Sequence, residues 1–126
     1  MAKPGATGLT RVIHATGYSM KGLGSAWRHE AAFRQELLLI VLLTPLAFVV
    51  GADLMQILLL LCLAWLVVVV EILNSAVEAV VDRIGSEHHE LSGRAKDLGS
   101  AAVFITLMMN LFGWGALAGR NLLHWW

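Results

Sequence analysis

One cysteine in 126 residues leaves Cys62 without a possible partner in the chain. An intrachain disulfide and a cysteine-rich zinc site are both excluded, and Cys62, set in an apolar run, reads as a small apolar residue. Charge is also scarce: 14% of residues are Asp, Glu, Lys or Arg, and nine basic side chains cancel nine acidic ones. That balance argues against a nucleic-acid binder relying on net positive charge. The chain has no phosphate-cradling G-x-x-x-x-G-K-[ST] loop, no Gly-rich loop of the protein-kinase type, and no HRD or DFG triplet. Residues 1–30 mix polar and small side chains without an uninterrupted apolar core, so no secretory signal peptide is expected. Neither internal repeats nor low-complexity stretches occur.

What the chain has is apolar length. Hydrophobic residues make up 58% of it, with a mean hydropathy of +0.72, too apolar for an ordinary soluble domain. A single all-α membrane domain over 1–126 is expected, with a surface helix at about 7–27 and membrane helices at about 31–50, 54–81 and 92–119. The first span has a pure core, "LLLIVLLTPLAFVVGA", of 16 residues, short of the roughly 20 needed, so the preceding "AAFRQE" must complete it. Pro45 should kink it or weaken one backbone bond. The second contains Ile57–Val70, 14 residues without a polar side chain. In the third, Leu98–Gly119, only Ser100, Thr106 and Asn110 interrupt. A soluble bundle of such helices would leave too little polar surface to cover them.

Lysine and arginine set the orientation. The N-terminal segment carries Lys3, Arg11, Lys21, Arg28 and Arg34, and Arg83, Arg94 and Lys96 follow the second span. "GADLMQ" has none and the C-terminal tail only Arg120. The N-terminus and 82–97 are therefore expected inside and the C-terminus outside, with Trp125 and Trp126 as an outer interfacial anchor. Near the N-terminus, Leu9, Val12, Ile13, Thr16, Met20, Leu23 and Trp27 recur at helical spacing, opposite Arg11, His14, Tyr18 and Lys21. This is the pattern of a basic amphipathic helix at the cytoplasmic interface, either a surface anchor or a lid touching a lipid headgroup. Gly17, Gly22 and Gly24 weaken its continuity. Gly85 should end the second membrane helix and Ser92 should cap the third. Gly115 and Gly119 form a small-xxx-small pair suited to close helix packing.

The second membrane helix then breaks its own pattern. In "VVVVEILNSAVEAVVDRIGS", Glu71, Asn74, Ser75, Glu78 and Asp82 fall within roughly 100° of one another and line one face. Lipid would not tolerate that face, so it must look into a bundle or a wet cavity. Two uses compete: a functional stripe, or a polar seam that fixes helix register or oligomeric state. From Leu54, Glu71 lies about 26 Å along the axis and Glu78 about 36 Å, against a hydrocarbon thickness of about 30 Å. Glu71 should lie just inside the apolar layer and Glu78 just outside it. One can meet the polar end of a lipid and the other a soluble, charged partner. Glu30, Lys96, Asp97 and Ser100 reach the same level. Glu30 and Glu78, with or without Asp97, offer hard oxygen donors suited to Mg²⁺. Lys96 suits a phosphate oxygen, and a partly desolvated Glu71 suits a general base. The set suggests phosphoryl transfer at a membrane surface, although spacing alone does not give the reaction. A cation pathway would use intramembrane polar groups too, but Ile57–Val70 offers none to continue it outward. His88 and His89 are adjacent, point apart on regular structure, and read as loop histidines near a nucleotide rather than a zinc site. Asp82 reads as a solvated helix end.

The blocks "GYSMKGLGSAW", "EAAFRQE", "VEILNSAVEAVVDRIGSE" and "HELSGRAKDLGSAAV" carry a resemblance that runs from about Gly8 to Trp114. The chain resembles the prokaryotic integral-membrane diacylglycerol kinase family. That resemblance implies a homotrimer in the bacterial inner membrane, each subunit with three transmembrane helices and an amphipathic surface helix. It implies that Mg²⁺ and ATP are used to phosphorylate diacylglycerol to phosphatidic acid. By the same resemblance Glu71 would accept the hydroxyl proton and Asn74 support it, while Glu30 and Glu78 would bind metal. Arg11, Tyr18, Glu87, His88, His89, Lys96 and Asp97 would face the nucleotide. Lipid contacts would involve Arg11, Ala15, Thr16, Gly17, Tyr18, Ser19 and Met20, then Ala32, Phe33, Arg34, Gln35 and Glu36, and also Glu71, Ser100 and Trp114. The family pattern has Asn where this chain has His29 and Tyr where it has His88. An undecaprenol kinase of the same fold is the alternative the resemblance leaves open.

Overall fold

The computed structural model describes residues 7–126; Lys3, counted above among the inside cations, lies outside the described residues. Four helices follow in order: α1 Gly8–His29, α2 Ala31–Val50, α3 Leu54–Ile84 and α4 Glu90–Asn121. Every regular element among the described residues is helical, and α2, α3 and α4 are long and apolar enough to cross a membrane. At 1.5 Å per residue, α3 with 31 residues and α4 with 32 are each about 46–48 Å long, well beyond a hydrocarbon layer of about 30 Å. The surplus length carries the polar stripe.

Local sequence explains where each helix stops. Only Glu30 separates α1 from α2: it is extended (φ −117°, ψ 105°), and its N–H still donates to the Ala26 carbonyl at 2.9 Å. The glycines of α1 do not interrupt it. Pro45 sits inside an unbroken α2, one residue after Thr44, whose hydroxyl donates to the Ile40 carbonyl at 2.7 Å. Asp53 caps α3 by accepting from the Gln56 N–H at 2.9 Å. Gly85 ends α3 in extended backbone (φ 167°), not the left-handed region, and a Cβ there would meet the movable end of the exposed Glu87 side chain, so neither handedness nor space demands glycine. The cap expected at Ser92 is not used. His89 takes that role three residues earlier, its Nδ1 accepting from the Leu91 N–H at 3.0 Å.

Central in the fold is α3, packed against α2 on one side and α4 on the other. Ala26, Phe33, Ile40, Ala64 and Val68 form one apolar cluster, and Ala47, Val50 and Leu60 form a second toward the other end. Lipid tails are as apolar as these side chains, so packing and interhelical hydrogen bonds must hold the helices together. Asn110 of α4 supplies one such bond, donating to the Leu63 carbonyl of α3 at 2.8 Å. At the far end Asn121 donates to the Val50 carbonyl and to Gln56 Oε1, both at 2.8 Å. Leu38, Phe48, Phe104 and Phe112 stand exposed, as suits a lipid-covered surface. The pair Gly115 and Gly119 does not seat a neighbouring helix of this chain. Gly119 is covered by the Trp125 ring of the folded-back tail, and a Cβ on Gly115 would meet nothing within 4 Å. Arg120 lies over the Trp126 ring, 4.3 Å from its centroid.

Candidate active site at the polar end of α3

Helical spacing puts the stripe of α3 on one face, and α2 and α4 close over part of it. Glu71 is only 8% exposed, beside the Ala64–Val68 cluster. The negative charges of Glu30 and Glu78 both act on it, and Glu71 in turn acts on Glu36 of α2. Glu71 is thus linked by charge to three other carboxylates, one at the α1–α2 joint, one on α2 and one on its own helix. The sequence pattern of α3 shows two of the four. Glu36 escaped the face argument because it stands on another helix, and only the family resemblance placed it near substrate.

Asn74 lies between Glu71 and Glu78 along α3. Its Nδ2 donates to Glu78 Oε1 at 3.3 Å, while its Oδ1 is buried without a partner. Gly99 of α4 packs directly on that amide, with no room for a Cβ. This contact was not legible in the sequence, where Gly99 is one small residue among several.

Beyond Glu78 the stripe ends in an ion pair. Asp82 is a solvated helix end, as expected, and in addition Lys96 Nζ of α4 lies 2.9 Å from Asp82 Oδ1. Both side chains are partly exposed, 67% for Asp82 and 47% for Lys96. They border a cavity of about 340 Å³ between the ends of α3 and α4, also lined by Glu87, His88 and His89. Asp97, next along α4, is exposed and makes no ion pair among the described residues. No three Asp, Glu, His or Cys side chains among the described residues gather closely enough to hold a metal, so Asp97 does not join Glu30 and Glu78. Two carboxylates remain a suitable donor set for Mg²⁺, which keeps several waters and takes its other ligands from phosphates. Glu30 and Glu78, whose charges both reach Glu71 and which make no ion pair among the described residues, fit that role.

An apolar groove of about 630 Å³ runs between α2, α3 and α4. Glu36 and Trp114 both line it, and each carries a buried polar atom with no partner, Glu36 Oε1 and Trp114 Nε1. Of the other residues expected near lipid, Phe33 is in the core, Arg34 donates to the Trp27 carbonyl, and Ala32 and Gln35 line neither cavity nor groove. Ser100 is exposed outside both. The α1 residues Arg11, Ala15, Thr16, Gly17, Tyr18, Ser19 and Met20 are exposed along their helix and line neither. The Thr16 and Ser19 hydroxyls donate to the carbonyls of Val12 and Ala15. Within one chain, then, Glu36 borders the groove, Asp82 and Lys96 border the loop cavity, and the exposed part of α1 lines neither.

The family model described as prokaryotic diacylglycerol kinase matches residues 17–118. A protein of Escherichia coli named diacylglycerol kinase is 56% identical over 108 residues, which is 86% of this chain and 88% of that protein. Its counterpart of the same name in Haemophilus influenzae is 53% identical over 111 residues, 88% of this chain and 94% of that one. The Pseudomonas aeruginosa protein of that name is 47% identical over 113 residues, covering 90% and 92%.

Proposed function

The chain belongs to the prokaryotic diacylglycerol kinase family and is an enzyme of that kind, and from this premise we propose how its residues divide the work. ATP is the phosphate donor and diacylglycerol the acceptor, converted to phosphatidic acid at the cytoplasmic face of the bacterial inner membrane. The observation that carries this reading is the burial of Glu71 within reach of the Glu30, Glu78 and Glu36 charges, Glu36 itself lining the apolar groove.

The groove takes apolar chain, and the lipid's free hydroxyl comes to Glu71. Glu71 accepts the hydroxyl proton as the lipid oxygen forms its bond to the γ-phosphorus. The bond from that phosphorus to the β–γ bridging oxygen breaks, and ADP leaves with the electron pair. Asn74 orients Glu78 through its amide. Glu30 and Glu78 would hold Mg²⁺, which when bound neutralises phosphate charge. Lys96 meets a phosphate oxygen, and the cavity at Glu87–His89 receives the nucleotide. Asn74 and the carboxylates lie where neither bulk water nor lipid surrounds them fully, so they are pre-positioned rather than solvated.

The N-terminus and the α3–α4 loop lie inside and the C-terminus outside, with α1 on the membrane surface as an amphipathic helix. Exposed Leu9, Val12, Ile13, Met20 and Trp27 support that placement. The family's homotrimer would bring α1 residues of one subunit, such as Arg11 and Tyr18, toward the site of another. The test is turnover of labelled ATP in mixed micelles containing either diacylglycerol or undecaprenol, with lipid and ATP titrated separately. Diacylglycerol should be preferred; preferential turnover of undecaprenol would overturn the substrate assignment.

A further inference from the structure

The Asp82–Lys96 pair has no part in the chemistry above beyond the lysine itself. We propose that Asp82 is a positioning residue for nucleotide binding: it holds the Lys96 ammonium at the mouth of the loop cavity, where a phosphate can take it over. This rests on the reading of Lys96 as a phosphate contact.

Three observations lead there. The partners come from different helices, so the 2.9 Å contact fixes the lysine of α4 relative to the stripe of α3 and is not a pairing within one helix. Asp82 follows Glu78 by four residues on the same face, a rise of about 6 Å. The ammonium is thus held about one turn beyond the carboxylate proposed for metal, and the Glu78 charge also acts on it. Both members line the cavity that also carries Glu87, His88 and His89. Among the described residues lining that cavity, Lys96 is the only lysine or arginine.

Chemistry explains why such a group needs an anchor. A lysine has a flexible four-carbon stem and an ammonium that hydrates strongly. Left free, it samples many rotamers, and apparent affinity falls by the fraction of time it is in place. A carboxylate across the cavity mouth removes that loss. The exposure of the pair matters equally. A pair still reached by water exchanges partners readily, and a polyphosphate carries more charge and more acceptor oxygens than one aspartate. Asp82 therefore arranges the lysine without competing it away from nucleotide.

A strap that merely joins the ends of α3 and α4 would show the same contact, and kinetics separate the two roles. In mixed micelles, Asp82→Asn should raise the KM for ATP by about three- to tenfold, with the KM for lipid and the thermal midpoint near wild type. Asp82→Glu, which keeps the charge on a longer stem, should recover most of the ATP affinity. Exchanging the charges, Asp82→Lys with Lys96→Asp, should restore any lost thermal midpoint but not the KM for ATP. An unchanged KM for ATP in Asp82→Asn, or full recovery in the exchanged pair, would overturn the inference. Lys96→Met tests the premise separately. If it raises the KM for ATP and Asp82→Asn does not, only the positioning role fails. If Lys96→Met leaves that KM unchanged, the phosphate role of Lys96 fails and the inference with it.

Discussion

Gly99→Ala should separate activity from stability. The substitution adds one methyl group in α4 where the Asn74 side chain already sits, with Asn74 Cγ 3.2 Å and Cβ 3.7 Å from the new carbon and Oδ1 closer still. What collides is the end of a side chain and not backbone, so Asn74 turns aside instead of the helices separating. Displacing it from its rotamer costs about 0.5–1.5 kcal/mol. Alanine in a helix interior returns about 1 kcal/mol relative to glycine. The two nearly cancel, and the thermal midpoint should stay close to wild type.

Activity has no such compensation. The displaced amide can no longer donate to Glu78 Oε1, a 3.3 Å bond to a charged acceptor. Hydrogen bonds to charged groups contribute about 1.5–3 kcal/mol, and one this long belongs at the lower end. With about 1.4 kcal/mol per factor of ten, kcat/KM for ATP should fall about tenfold. The assay is initial rates in mixed micelles at varied Mg-ATP, paired with thermal denaturation. Gly22→Ala is the control, because a Cβ there meets nothing within 4 Å, and it should leave activity unchanged. In an Asn74→Ala background, Gly99→Ala should cost little further activity, since its effect runs through the missing amide. Wild-type kinetics in the single variant, or a full tenfold loss in the Asn74→Ala background, would refute the reasoning.

Further outcomes follow from the same geometry. Glu71→Gln keeps the shape but removes the proposed proton acceptor, so turnover should drop by about 10²–10⁴ while ATP binding persists; retained wild-type turnover would remove Glu71 as the base. Glu78→Gln should raise the Mg²⁺ concentration required for half-maximal rate, and an unchanged Mg²⁺ titration would refute its metal role. Asn110→Leu deletes the bond to the Leu63 carbonyl and should lower stability by about 0.6 kcal/mol, at most about 1.7, in reversible unfolding by detergent. A larger loss would mean that packing at that level matters more than the bond.

The helices were legible because they obey rules of one dimension. Apolar length marks α2, α3 and α4, and rise per residue separates Glu71 from Glu78 by depth. What the sequence hid depends on which helices meet. Glu36 joins the carboxylates only because α2 packs on α3. Asp82 finds Lys96 because a five-residue connection, 85–89, folds α4 back beside α3. The Ser92 cap was misplaced because histidine is an uncommon capping residue, yet its ring nitrogen accepts a backbone N–H as an oxygen would. Gly119 was read as a helix-packing residue because the pattern cannot show that Trp125 folds back to cover it.

In the proposed mechanism the length of α3 has a part of its own. A lipid hydroxyl and ATP do not share a solvent, so an enzyme joining them must hold groups on both sides of one boundary. If Leu54 stands at the far edge of the hydrocarbon, about 20 residues bring α3 to the near edge, close to Asn74. Glu71 then lies about 4 Å inside, Glu78 about 6 Å outside and Asp82 about 12 Å outside. The functional stripe thus occupies the part of the helix that the bilayer does not need, extended inward by a single turn. That turn is where a carboxylate is both tolerable and useful. Deeper, it would be too costly to keep charged; farther out, water would compete for the proton it must take. Asn74, at the boundary, bonds Glu78 on one side and is packed by Gly99 on the other, which is why a methyl group pressed against it from α4 should be felt in catalysis before it is felt in the fold.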